Sequence, residues 1–146
     1  MQRKGSGFYD SASWQDDYAL AASALWKATG DSSYKSIYDA NKSGVNQYWV
    51  LDWANSGAMA SMLAGDSATL ASITDVCKGK PTIDSIFHCV SDWGSCRYSA
   101  AEQFTGLAYD KMTNSSKYTA WAASQMNYMI GDNPNKRCFI VGYNEN

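Results

Sequence analysis

The chain has 146 residues, a formal net charge of −2 and a pI near 5.2. That length suits one domain burying roughly two-thirds of its surface, and the mild acidity excludes the basic footprint that nucleic acid or an anionic membrane would select. No apolar run approaches the ~18 residues of a spanning helix, and no apolar segment of a secretory leader follows the polar start "MQRKGSGFYD".

In chain order, "SWQDDYALAASALWKATGD" carries Trp14, Tyr18, Ala21, Ala22, Leu25 and Trp26 at helical spacing, with Ser13 as N-cap and Gly30 as stop. Asp31 opens a shorter helix through "SSYKSIYDAN" that buries Tyr34, Ile37 and Tyr38. "GVNQYWVLDW" reads equally as a strand or a tightly packed loop. Asn55 opens a third helix closed by Gly65, and Asp66 a fourth with Leu70, Ile73, Val76 and Cys77 inward. Residues 78–92, with Pro81, read as a loop. A fifth helix spans about Ser95 to Met112, with Tyr98, Ala101, Leu107 and Ala108 apolar. The sixth, Ser115 to Ile130, buries Tyr118, Trp121, Ala122, Met126 and Met129. Then Gly131 and "DNPN" make a turn, and Phe139-Ile140-Val141 should bury itself. The pattern is all-α: about six helices in antiparallel pairs and no strand long enough for a sheet, which suggests a toroid or solenoid.

Six Trp and ten Tyr are the unusual part of the composition. Two readings stand: a core rich in large rings, or a surface that stacks on flat ligands, because Trp and Tyr combine an apolar face with a polar edge. The four cysteines, Cys77, Cys89, Cys96 and Cys138, form no C-x-x-C pair, which argues against zinc. Buried free thiols are the expectation; Cys89 and Cys96, seven apart across a turn, allow a disulfide but do not indicate one.

Four stretches resemble glycoside hydrolase family 9, the (α/α)6-barrel cellulases. "SASWQDDYALAASALWKATGD" is similar to that family's acidic helix start followed by A-A-x-x-L-x-x-A-T-G-D. "LDWANSGAMASMLAG" resembles its W-D-x-x-x-x-G-A segment, with Leu51 where Trp is usual. "DWGSCRYSAAEQFTGLAYDK" looks like W-G-S-x-R-Y and its helix. "YTAWAASQMNYMIGDNPNKRCFIVGYNEN" resembles A-x-x-Q-x-x-Y-x-L-G-x-N-P followed by V-G-x-x-x-N. All four fall in the family's order and cover residues 8–146.

The resemblance implies a partial (α/α)6 barrel, residues 1–146 being one partial catalytic domain. The implied chemistry is inverting hydrolysis of β-1,4-glucosidic bonds of cellulose or β-glucan. In the family the catalytic Asp pair lies in an N-terminal motif, and the acid Glu follows a P-H-x-R signature. Neither motif occurs here, so no catalytic residue is assigned, and little activity is expected of this chain by itself. Asp10, Asp16, Asp17, Asp84, Asp92, Asp110 and Asp132 are candidate replacements, but helix starts and turns give most of them capping roles.

For substrate the resemblance implies Trp93, stacking on a glucosyl ring, with Arg97 and Tyr98 bonding to hydroxyls and Tyr9 in the cleft. The residues alone favour a packed Trp93 and an Arg97 paired with Glu102 or Asp92. Trp49 and Trp53 read as core, and Glu102 and Gln103 as surface or supporting positions. Asn144 aligns with a position near the cleft floor. A calcium site is implied at Asp16, Asp17 and Asp52, with carbonyls from Ala12 and Ser13; the bland alternative is two helix-start charges and a turn Asp. The expected partners are a β-1,4-glucan or cello-oligosaccharide, with no nucleic acid and no membrane. Competing readings are a sugar-binding fragment, or a structural helical protein whose open inner wall drives self-association or pairing with the remainder of a barrel. The setting implied is extracellular, in the manner of secreted, cellulosome-borne enzymes.

Overall fold

The computed structural model describes residues 11, 13–45 and 49–143. Tyr9, Asp10, Ala12 and Asn144 therefore lie outside the described residues.

Six α-helices account for most of the described chain: α1 (Gln15–Thr29), α2 (Ser32–Asn41), α3 (Gly57–Ala64), α4 (Ser67–Lys78), α5 (Ser95–Thr113) and α6 (Thr119–Met129). A 3-10 turn at Lys42–Gly44 follows α2. Local chemistry sets several ends. Asp31 accepts a hydrogen bond from the Ser33 N–H at the start of α2, and Asp66 accepts one from the Thr69 N–H at the start of α4. Gly30 and Gly65 close α1 and α3 in the left-handed conformation. The N-cap position of α1 is Trp14, one residue after the expected Ser13, although the Ser13 hydroxyl still accepts from the Gln15 N–H at 3.3 Å.

α1 packs on α2 and α3, α3 on α4, α4 on α5, and α5 on α6, while α3 also touches α5. Odd-numbered helices thus form one row and even-numbered helices a second row behind it, as in an arc of an (α/α)6 barrel. Close approach of α1 and α3 depends on small side chains. Ala19, Ala22 and Ser23 meet a face of α3 that includes Ala60 and Ser61, and both serine hydroxyls bond to carbonyls of their own helices. Gly57 is obligatory by space: a Cβ there would lie 2.0 Å from Val45 Cγ1.

This packing turns α1 away from the face its large residues suggest. Trp14, Tyr18 and Leu25 are exposed, and only Tyr38 of the three α2 residues is fully buried. Met126 of α6 and Leu107 of α5 also face outward. The first core cluster joins Ala19, Ala22, Tyr38 and Ala60, the second Val50, Ala58, Leu70, Ile73, Cys77 and Tyr98, and the third Phe87, Tyr128 and Met129.

The 78–92 segment contains a minimal hairpin, β1 (Thr82–Ile83) against β2 (Phe87–His88), turned by Asp84 and Ser85 at φ 52° and 60°. Gln125 of α6 fastens it: its Oε1 accepts from the His88 N–H at 2.9 Å, and its Nε2 donates to the Ile86 carbonyl at 2.7 Å. Beyond α6, Asn133 organises the turn through Nδ2 bonds to the Tyr128 and Arg137 carbonyls, both 2.7 Å. The Phe139–Val141 run does not bury itself: Phe139 and Val141 are exposed and Ile140 is half-buried.

Candidate functional site

Gly94, at φ 67°, reverses the chain immediately before α5. Its carbonyl accepts from the Arg97 and Tyr98 N–H groups, starting the helix. This bend leaves Trp93 84% exposed. A Cβ on Gly94 would lie 3.8 Å from Arg97 Nε, so the bend also sits beside the guanidinium. Arg97 itself is exposed, and its Cζ stands 4.5 Å from the Trp53 ring centroid and 4.1 Å from that of Tyr98. Stacking of this kind uses the faces of the guanidinium and leaves its N–H edge available to a ligand.

The support below is core. Tyr98 is only 6% exposed, so it acts from beneath Arg97 rather than as an open stacking surface. Its ring meets Trp49 edge-on at 5.3 Å. Trp49 donates from Nε1 to Asp52 Oδ2 at 2.6 Å, and Lys80 Nζ lies 5.1 Å from its ring centroid. Trp53 is half exposed and faces Arg97, not the core expected from sequence. Its segment is irregular, so no periodicity announced that role. Arg97 stacks on rings instead of pairing with Glu102 or Asp92.

Of the two alternatives read for Glu102 and Gln103, surface or supporting, burial rules out the surface: they are 1% and 4% exposed. Glu102 Oε1 is 4.0 Å from Lys80 Nζ, and the one hydrogen-bonding neighbour of the carboxylate among the described residues is the Cys77 thiol. Burial pushes its carboxyl up to about 7, with Lys80 opposing. The adjoining Cys77 thiol is pushed up to about 12, again mainly by burial and next by the Glu102 charge.

The second grouping gathers at Ser56. Asp16, 2% exposed, accepts from the Ser13 hydroxyl at 3.0 Å and from the Ser56 N–H at 2.8 Å. The Ser56 hydroxyl lies 3.3 Å from Asp16 Oδ2 and 3.4 Å from Asp17 Oδ1. Asp52 does not join them by its side chain; its oxygens accept from Trp49 Nε1 and the Ala54 N–H. Among the described residues, no three His, Cys, Asp or Glu side chains gather as a metal cage.

Three other carboxylates named as candidates also have structural partners. Asp84 accepts from the Tyr128 hydroxyl at 2.6 Å. Asp110 accepts from the Tyr118 N–H and the Thr119 and Ser115 hydroxyls at the start of α6. Asp132 lies 3.9 Å from Lys136 Nζ.

Residues 1–146 match the family described as glycosyl hydrolase family 9. Endoglucanase B of Cellulomonas fimi is 30% identical over 176 residues, an alignment covering 97% of this chain and 16% of that protein. Endoglucanase A of Fibrobacter succinogenes is 24% identical over 96% of this chain and 36% of its own length. Among solved structures, the catalytic domain of Clostridium thermocellum CelT superposes with a TM-score of 0.88 at 27% identity, covering 97% of this chain and 36% of that one. The cellulase Cel9M of C. cellulolyticum gives 0.83 at 28% identity, over 100% and 37%. The chain thus spans little more than a third, or less, of these proteins. It belongs to glycosyl hydrolase family 9.

Proposed function

We propose that this chain forms part of the substrate cleft of a β-1,4-glucan hydrolase, presenting Trp93, Arg97 and Trp53 to a cello-oligosaccharide. The observation that carries this reading is the exposed Trp93 next to Gly94, a bend that adjoins the Arg97 guanidinium, with the Trp53 and Tyr98 rings both against that guanidinium. An indole face matches the C–H face of a β-glucosyl ring, and the Arg97 edge offers donors to its hydroxyls. Support also comes from a related cellulase, Cel9M, solved in complex with cellobiose and 28% identical to this chain.

Inverting hydrolysis needs an acid and a base roughly 6.5–9.5 Å apart across an open cleft. Asp16, Asp52, Asp84 and Asp110 are already hydrogen-bonded within the fold, and Glu102 is buried. We therefore expect this chain to bind glucan without cleaving it. Titration with cellohexaose, followed by tryptophan fluorescence, should show saturable binding that Trp93→Ala weakens at least tenfold. A parallel assay should show no reducing-sugar release. Equal affinity in the variant would overturn the binding reading, and turnover proportional to protein would overturn the expectation of no cleavage.

Calcium belongs to the same proposal. Ca²⁺ takes about six to eight oxygens, and Asp16, Asp17 and Ser13 offer a start, whereas the Asp52 carboxylate is engaged elsewhere. The proposal thus rests on the Asp16–Asp17 pair. Calcium, but not magnesium, should raise the melting temperature, and Asp17→Asn should abolish the rise; no rise in the wild type refutes it.

A second reading, self-association or pairing with the remainder of a barrel, is favoured by exposed Trp14, Tyr18 and Leu25 along α1 and Phe104 and Leu107 along α5. A monomer by sedimentation at high concentration would refute self-association. The extracellular setting is proposed because a polymeric glucan is met outside the cell.

A further inference from the structure

Cys89 directly follows β2, and Cys96 is the second residue of α5. Between them the chain doubles back at left-handed Gly94, with the Trp93 N–H bonded to the Ser91 hydroxyl at 3.2 Å. Both cysteines are half-buried, and both line one pocket of about 150 Å³. Its walls are largely apolar: Phe87 and Tyr128 stack with centroids 4.8 Å apart, and Phe139 lies beyond Tyr128. The Cys89 thiol has only a long contact to the Ser91 carbonyl, 3.5 Å.

The other two cysteines are placed differently. Cys77 has no exposure and lies in the second core cluster. Cys138 lines no part of this pocket, and its sulfur sits between the N–H and carbonyl of Ile140, 3.4 Å from each.

We propose that Cys89 and Cys96 form a thiol pair that closes to a disulfide across this pocket, clamping the loop that carries Trp93. The co-reactant is a small-molecule disulfide such as oxidised glutathione. The Cys89 thiolate attacks one of its sulfurs, releasing one reduced thiol and leaving a mixed disulfide. The Cys96 sulfur then attacks Cys89 Sγ and expels the second reduced thiol. Two protein thiols are oxidised, one small disulfide is reduced, and the two thiol protons end on the two released thiols. Burial, and next the charge of nearby Cys89, holds the Cys96 thiol above its usual range, which suits it to the second, resolving step.

The test is incubation of the purified full chain with excess oxidised glutathione, followed by intact mass, free-thiol titration and peptide mapping. The four thiols of the reduced chain should fall to two, the mass should drop by two hydrogens, and the map should link residues 89 and 96. Cys96→Ser should leave a glutathione adduct on Cys89, Cys89→Ser should leave Cys96 reduced, and Cys138→Ser should close as the wild type does. Four surviving thiols, a link to Cys138, or a wild-type product that stops at glutathione adducts would overturn the proposal. Sugar binding plays no part in these readouts, so they stand apart from the glucan-binding assay.

Discussion

Glu102 gives the sharpest physical prediction. It is 1% exposed, Lys80 Nζ is 4.0 Å from its nearer oxygen, and its one hydrogen-bonding neighbour among the described residues is the Cys77 thiol. Its carboxyl is raised from an ordinary 4.5 to about 7, chiefly by burial. At about 1.4 kcal/mol per pH decade that displacement corresponds to about 3 kcal/mol. The folded state holds this proton more tightly than the unfolded state. The contribution is therefore fully present below about pH 4.5 and is lost as pH rises through about 7. His88 complicates the raw curve, since burial lowers its pKa and gives it the opposite slope below the usual histidine range. The difference between wild type and Glu102→Gln removes that contribution. Urea unfolding of both proteins at several pH values from 4.5 to 8.5 should show the difference changing by about 3 kcal/mol across the window. Glutamine leaves Lys80 without its anionic partner, so a constant offset is expected as well. A Glu102→Gln/Lys80→Met double variant should reduce that offset while keeping the flattened profile. Parallel curves for wild type and Glu102→Gln would refute the argument.

Gly57→Ala should cost about 1–3 kcal/mol by overpacking, since its Cβ would meet Val45 Cγ1 at 2.0 Å; thermal unfolding reads it directly, and an unchanged melting temperature would contradict the contact. Asp110→Ala should cost about 1–2 kcal/mol in urea unfolding, because the Tyr118 N–H and two hydroxyls lose their acceptor. Trp93→Ala should leave the melting temperature within about a degree while weakening cellohexaose, as expected of a side chain that is 84% exposed. Gln125→Ala should loosen the hairpin selectively: hydrogen exchange at His88 should quicken while α1 and α2 are unaffected, since the lost bonds fasten only that segment to α6.

Helix number and pairing were legible because the punctuation is local. Asp31 and Asp66 cap through their own side chains, and Gly30 and Gly65 stop helices by backbone conformation. Facing was not legible in α1. There the contact with α3 selects small residues, so Ala19, Ala22 and Ser23 turn inward and Trp14, Tyr18 and Leu25 outward. A pattern that ranks residues by apolar bulk inverts such a helix. Glu102 was left between surface and supporting position for the complementary reason, since a carboxylate in mid-helix reads as surface unless Lys80, from beyond the end of α4, is known to face it. The hairpin was invisible because two-residue strands offer no alternation to detect.

At the candidate site, the family resemblance pointed to Trp93, Arg97 and Tyr98 but not to their different depths. Their division of labour follows from depth. Trp93 projects from a bend and touches the core little, so its removal should register in binding and not in folding. Tyr98 belongs to the core cluster of Leu70, Ile73 and Cys77, and also lies under Arg97. Trp49 links the same layer to Asp52 by a hydrogen bond and to Lys80 by ring contact. Arg97 is therefore held by residues whose positions are fixed by packing, which limits the rotamer entropy it loses on meeting a ligand. Trp53 also meets the guanidinium, from a turn braced by the Asp52–Asn55 bridge. An exposed arginine on a mobile surface would have to be ordered by each ligand it bound; this one is ordered by the fold.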